Sequence, residues 1–255
     1  DRIESGESFK LDQTGAADSL AINFNYADES GAAVGNMTIA ALSYTSAAIV
    51  PPGTNMGPEL ATALKAGLDV KGSFKAGATE VKVDVTNSGG EAGPQPMAIA
   101  STTDSMTLDF LMAEGRLGYA GTSGVSKTDV TVPDLPFPIS YAAEGARFNV
   151  ELPVNAAPEP QPFTFVYGFT GLTLSDGIWG MFDPQSILPR DPANVTVDLS
   201  GTARLDVDLM DTDAMSDPNV TPGAFNSLKI NKVDISAVGA NVSATGDLTS
   251  PEGGD

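Results

Sequence analysis

The sequence predicts an all-β protein, mainly antiparallel, folded as one large curved or sandwich-like sheet with one or two short helices. Three observations carry this reading. Apolar and polar residues alternate along most of the chain, clusters of Gly, Asn, Asp and Ser punctuate the alternation, and only two stretches have helical spacing. Alternation with one polar face argues for antiparallel pairing, because parallel strands covered on both faces read as unbroken apolar runs.

The elements follow in chain order. In LAINFNY, Leu20, Ile22, Phe24 and Tyr26 share one face of a strand. The same period places Val81, Val83 and Val85 together, then Met106, Leu108, Phe110 and Met112, then Phe148, Val150 and Leu152. Val195, Val197 and Leu199 form another set, and Ala203, Leu205, Val207 and Leu209 are read as a separate strand after a turn at Ser200-Gly201. Leu228 and Ile230 lead into Val233, Ile235 and Ala237, and a last strand surrounds Val242 and Ala244. Turns are expected at Asp28 to Gly31, Asn87 to Gly90, Gly121 to Gly124 and Glu144-Gly145, which carry residues that tolerate tight backbone. FTFVYGF, residues 163 to 169, has aromatic side chains on one face and Val166 on the other. It is expected to be a central strand buried on both sides.

Helical spacing is confined to PELATALKAG, with Pro58 in the first turn and Gly67 as the stop, and to SDGIWGMF, capped by Ser175 or Asp176. Neither helix covers a sheet of about ten strands. The apolar face must therefore meet another sheet, close into a barrel, or remain a lined groove. The Pro-rich stretch 153–162 is where a division into two domains would fall, but its flanking strands look like neighbours in one sheet, so residues 1–255 are read as a single β-rich domain.

Composition bounds the function. With 33 Asp and Glu against 13 Lys and Arg, the formal charge is -20, which makes nucleic acid an unsuitable partner. The chain has no Cys and no His. That removes disulfides, thiolate or imidazole metal sites, and Ser-His-Asp or Cys-His catalysis. The acidic group Asp206, Asp208, Asp211, Asp213 and Asp217 is the densest set of hard oxygen ligands. Read as a calcium loop from Asp206, it has Met210 at the fifth position, Asp211 where Gly is required, and Asp217 in place of the bidentate Glu. No tight metal site is expected there, and no cofactor is implied. Asp183 and Asp191 each precede a proline, where Asp caps turns, so they are read as structural instead of an acid-base pair.

The elements Pro136-Phe137-Pro138, Trp179, Phe182-Asp183-Pro184 and Leu188-Pro189-Arg190-Asp191-Pro192, within residues 132 to 248, resemble the alphaproteobacterial family of domain of unknown function 2125. Residues 1 to 131 fit it more loosely. The resemblance implies an exported, periplasmic or membrane-anchored protein of the cell envelope, similar to AsmA-like proteins whose curved sheets shelter lipid in an apolar groove. It carries no catalytic residues. Its members continue beyond the stretch Ser250 to Asp255, which implies further strands, and a start at Asp1 without Met fits a processed or excised segment.

Two functions follow as expectations. One is a non-enzymatic protein that binds or transfers lipid on an apolar β groove lined by Phe110, Phe148, Phe165 and Trp179. The negative charge favours neutral or zwitterionic lipid unless Arg147, Arg190 or Arg204 gather at the mouth. The other is a structural or interaction protein of the envelope or exterior with a closed β core and envelope protein partners.

Overall fold

The computed structural model describes residues 8–53, 60–87, 95–113, 115–133, 135 and 137–249. Pro58, residues 88–90 of an expected turn, and Pro136 lie outside that set. Of the described residues, 68% are strand and 8% helix, so the protein is all-β. Fourteen strands form one antiparallel sheet, with no second sheet facing it among the described residues.

The strands are β1 (Phe9–Asp28), β2 (Gly31–Val50), β3 (Asp69–Ala76), β4 (Thr79–Asn87), β5 (Gln95–Thr103), β6 (Met106–Ala113) and β7 (Arg116–Ser123). They continue as β8 (Ser126–Thr131), β9 (Ile139–Ala143), β10 (Gly145–Pro153), β11 (Gln161–Leu174), β12 (Ala193–Leu205), β13 (Gly223–Ala237) and β14 (Ala240–Thr249). The helices are α1 (Leu60–Lys65), α2 (Asp176–Phe182) and α3 (Thr212–Ser216).

Several of these strands are halves of one passage of the chain. β3 and β4 both lie on the same long strand, β2, pairing with residues 43–49 and 31–39. They follow one another with only Gly77 and Ala78 between. β5 and β6, β7 and β8, and β9 and β10 are joined the same way. The sheet is therefore a meander of ten long passages in chain order.

The interruptions fall in register and form a crease across the sheet. Ala41 adopts φ 50 in β2, opposite Asp18 of β1, the one position where their ladder lapses. Gly77 N donates to Ala40 O at 2.8 Å, and Asp104 N to Val125 O at 2.9 Å. Gly124 N donates to Ser105 O at 3.0 Å, and Glu144 N to Thr170 O at 2.9 Å. Gly171, at φ 63, carries the crease through β11. Because backbone hydrogen bonds continue through the interruptions, the chain bends there without reversing.

Each crossing switches the parity of the apolar series. Val70 and Phe74 are even and Val81 to Val85 odd; Met97 and Ile99 are odd and Met106 to Met112 even; Phe163 to Phe169 are odd and Leu172 and Leu174 even. A one-residue bulge has this effect, and it lets both halves of a passage offer apolar side chains to the same face.

Four sequence expectations need correction. Glu144-Gly145 and Gly121 to Gly124 mark the crease instead of chain reversals. Ser200-Gly201 lies inside β12, and Val207 and Leu209 fall after that strand ends. The acidic stretch contains a third helix, α3, whose N-cap Asp211 accepts hydrogen bonds from Asp213 N and Ala214 N. Finally, β11 is central, but Phe165 and Tyr167 are each 40% exposed, so one of its faces is uncovered. A buried strand needs a layer above it, and the described residues form only one sheet.

Candidate functional site: an uncovered apolar sheet face

The register assembles the face row by row. One row runs Tyr44, Phe74, Leu108, Gly121, Phe148, Tyr167, Val197, Val233 and Ala244. The next runs Gly72, Phe110, Tyr119, Val150, Phe165, Leu199 and Ile230. On the reverse face the neighbouring row is Ser43, Lys75, Thr107, Thr122, Arg147, Gly168, Thr196, Asp234 and Ser243. The sheet thus has one aromatic and aliphatic side and one hydrogen-bonding side. On the polar side, for instance, the Thr107 and Thr122 hydroxyls lie 2.8 Å apart.

Glycines make room for the rings. The Phe110 ring lies over Gly72, the Tyr44 ring over Gly15 and the Phe24 ring over Gly35, each pair directly opposite in the ladder. Phe148 lies over Gly121, where an added Cβ would meet its ring at 2.7 Å. These contacts lay aromatic rings along the sheet where they cover backbone.

Both ends of the face carry a plug. At one end, α1 and the following turn bury Ala63, Leu64 and Leu68 with Val154, packed by Val50, Val70, Met112, Leu117, Leu209 and Met210. Val50, Val70, Met112 and Leu117 belong to the apolar series, so this cluster closes that end. Lys65 Nζ lies 2.6 Å from Asp208, whose other oxygen accepts from Ala156 N at 2.7 Å. At the other end, α2 buries Trp179 to 8% exposure, with Phe182 at 4.8 Å between ring centroids and the Arg190 guanidinium 5.5 Å over the indole. Asp183, itself buried, accepts from Ile187 N at 3.0 Å and Leu188 N at 3.1 Å and so shapes the loop that returns Arg190 to the tryptophan. A cavity of about 260 Å³ lies there, lined by Leu172, Leu174, Trp179, Phe182 and Arg190 among others.

Of the four residues expected to line a groove, Phe110, Phe148 and Phe165 stand together on the open face, Phe148 at 36% exposure. Trp179 does not join them; it packs in the end plug. Sequence reasoning missed Tyr44, Phe74 and Tyr119, because Tyr44 and Phe74 lie in strands punctuated by Gly, Ser and Ala.

The electrostatics belong to the polar side. Lys71 with Asp69, Lys82 with Glu80, Lys127 with Asp129, Lys232 with Asp234 and Arg204 with Asp206 pair two residues apart along the chain. The Ser140 hydroxyl and then Lys127 hold the Asp129 carboxyl below its usual range. Arg147, Arg190 and Arg204 are dispersed and form no cluster. The Asp206 and Asp208 carboxylates form ion pairs, those of Asp211 and Asp217 cap turns, and no group of three metal-binding side chains converges among the described residues. No described helix is long and apolar enough to cross a membrane.

No protein-family model matches the chain, and neither a curated protein nor a solved structure is significantly similar to it.

Proposed function

We propose that this is a non-enzymatic protein of the bacterial cell envelope that holds or passes on lipid against the apolar face of its sheet. The observation that carries the reading is the exposure of aromatic side chains in the middle of the sheet, Phe165 and Tyr167 at 40% and Tyr119 at 44%. Contiguous apolar surface of this extent is costly in water and marks a binding surface. Each CH2 group laid on such a face contributes about 0.8 kcal/mol, so an acyl chain of a dozen carbons offsets a substantial part of the cost of association. The dispersed cations and the charge of -20 favour neutral or zwitterionic headgroups. The resemblance of residues 132 to 248 to the family of domain of unknown function 2125, itself similar to AsmA-like envelope proteins, supports the same reading and an exported location.

Native mass spectrometry with lipid extraction tests it. Protein purified from its source should carry acyl lipid. Because Phe165 is not buried, Phe165→Asp should abolish copurification while leaving circular dichroism unchanged. A clean apo mass, or an unfolded variant, would favour a structural envelope protein with a closed core.

A further inference from the structure

A different feature, independent of lipid, lies at the edge of the sheet. β1 is 20 residues long and, among the described residues, hydrogen-bonds along one edge only, to β2. All of its residues except Gly15 are exposed. Natural edge strands are guarded by short length, proline, bulges or charge. Residues 20–26, LAINFNY, contain no charge, Pro or Gly, which is the composition of a strand that pairs with another. The opposite edge, β14, has half the length and carries Gly246 and Asp247.

We infer that two copies of this chain pair through their β1 edges, antiparallel about a twofold axis between Asp18 and Ser19. The crease selects the register. Apolar residues of β1 are odd before Asp18 (Phe9, Leu11) and even after it (Leu20 to Tyr26), so a continuous apolar face requires odd residues to meet even ones. Placing Asp18 opposite Ser19 of the second copy pairs all 20 residues and aligns the two creases. Leu11 then faces Tyr26, Ala17 faces Leu20, Lys10 faces Ala27 and Asp12 faces Asn25, with no like charges opposed. A shift of one residue sets Asp18 against Asp18, Tyr26 against Lys10 and Phe24 against Asp12. The contact is isologous and closes at two copies, and 20 residues a side matches the roughly 20–30 of a standard interface. The paired sheets present one apolar face across both copies.

Sedimentation of charge-paired variants tests the register. Thr14 and Asn23 are exposed, lie on the polar side and face each other across the proposed axis. The unaltered chain should sediment as a dimer at micromolar concentration. Thr14→Glu with Asn23→Glu opposes like charges twice and should weaken dimerisation about tenfold relative to Thr14→Glu with Asn23→Lys, which opposes unlike charges. As the chain has no cysteine, Thr14→Cys with Asn23→Cys should form an intermolecular disulfide, and Thr14→Cys with Lys10→Cys, which face Asn23 and Ala27 of the second copy, should not. A monomer, an oligomer larger than two, equal behaviour of the two charge variants, or cross-linking of both cysteine pairs overturns the inference. None of these outcomes bears on lipid copurification.

Discussion

At the scale of single residues, the sheet depends on pairs that the sequence keeps far apart. Gly72 and Phe110 are 38 residues apart in the chain yet stand directly opposite in adjacent passages, and an added Cβ at Gly72 would meet both the ring and Thr45 O, the latter at 2.8 Å. Gly72→Ala should therefore cost about 1–3 kcal/mol in urea unfolding, the range for overpacking. Gly246, with nothing within 4 Å of its built Cβ, is the control: Gly246→Ala should be neutral or slightly stabilising. No propensity scale separates these two glycines, because the difference is a neighbouring strand. Asp28 is a local case and was legible as turn chemistry. It accepts from the Ser30 hydroxyl at 2.6 Å and Ser30 N at 2.8 Å, and the Tyr26 hydroxyl also donates to it. These bonds, Ser30 first, lower its carboxyl to about 2. The folded value lies below the unfolded one near 3.9, so the bonds' contribution is present above about pH 4 and is lost as pH falls through about 2. A carboxyl-carbon NMR titration should place the midpoint near 2, and in Ser30→Ala it should move up toward the ordinary value; an unmoved midpoint would assign the shift elsewhere.

At the scale of elements, helix α1 shows how packing and charge divide the work. Leu68, just beyond it, is 1% exposed, and Lys65 is half-exposed in its ion pair with Asp208. Leu68→Ala should cost about 2–5 kcal/mol, because it removes a buried side chain and leaves a cavity. Lys65→Ala should cost less than about 1 kcal/mol, because solvent screens the pair. Equal losses in denaturant unfolding would mean that the ion pair, and not the apolar plug, anchors this end of the sheet. The helices at residues 60–65 and 176–182 were readable from their spacing, but α3 was hidden in an acidic run that resembled a defective calcium loop. Strands were legible where Val, Phe and Leu alternate, as in β6 and β12. β2 and β3, rich in Ala, Ser and Gly, were not. Their extended form comes from being paired on both edges, which supplies hydrogen bonds that weak side-chain preferences do not oppose.

At the scale of the whole molecule, a single layer bearing a charge of -20 repels itself with little core to resist. The lateral ion pairs on the polar side lose strength in salt, but they are few and exposed, so relief of the net repulsion dominates. The melting temperature should rise as salt increases from about 10 to 150 mM, where the screening length falls from about 30 to 8 Å, and then level off. A fall over that range would show that the strand-wise pairs matter more than net charge. By itself the sequence determined the all-β class, the antiparallel sense and the sidedness of the strands, because alternation and turn residues act within a few residues of one another. Only the tertiary structure decided that the passages form one layer, that the interruptions line up as a crease, and that Phe110, Phe148 and Phe165 share an open face while Trp179 plugs an end. Those outcomes depend on register between strands, and register is set by contacts across dozens of residues, beyond the reach of any local pattern.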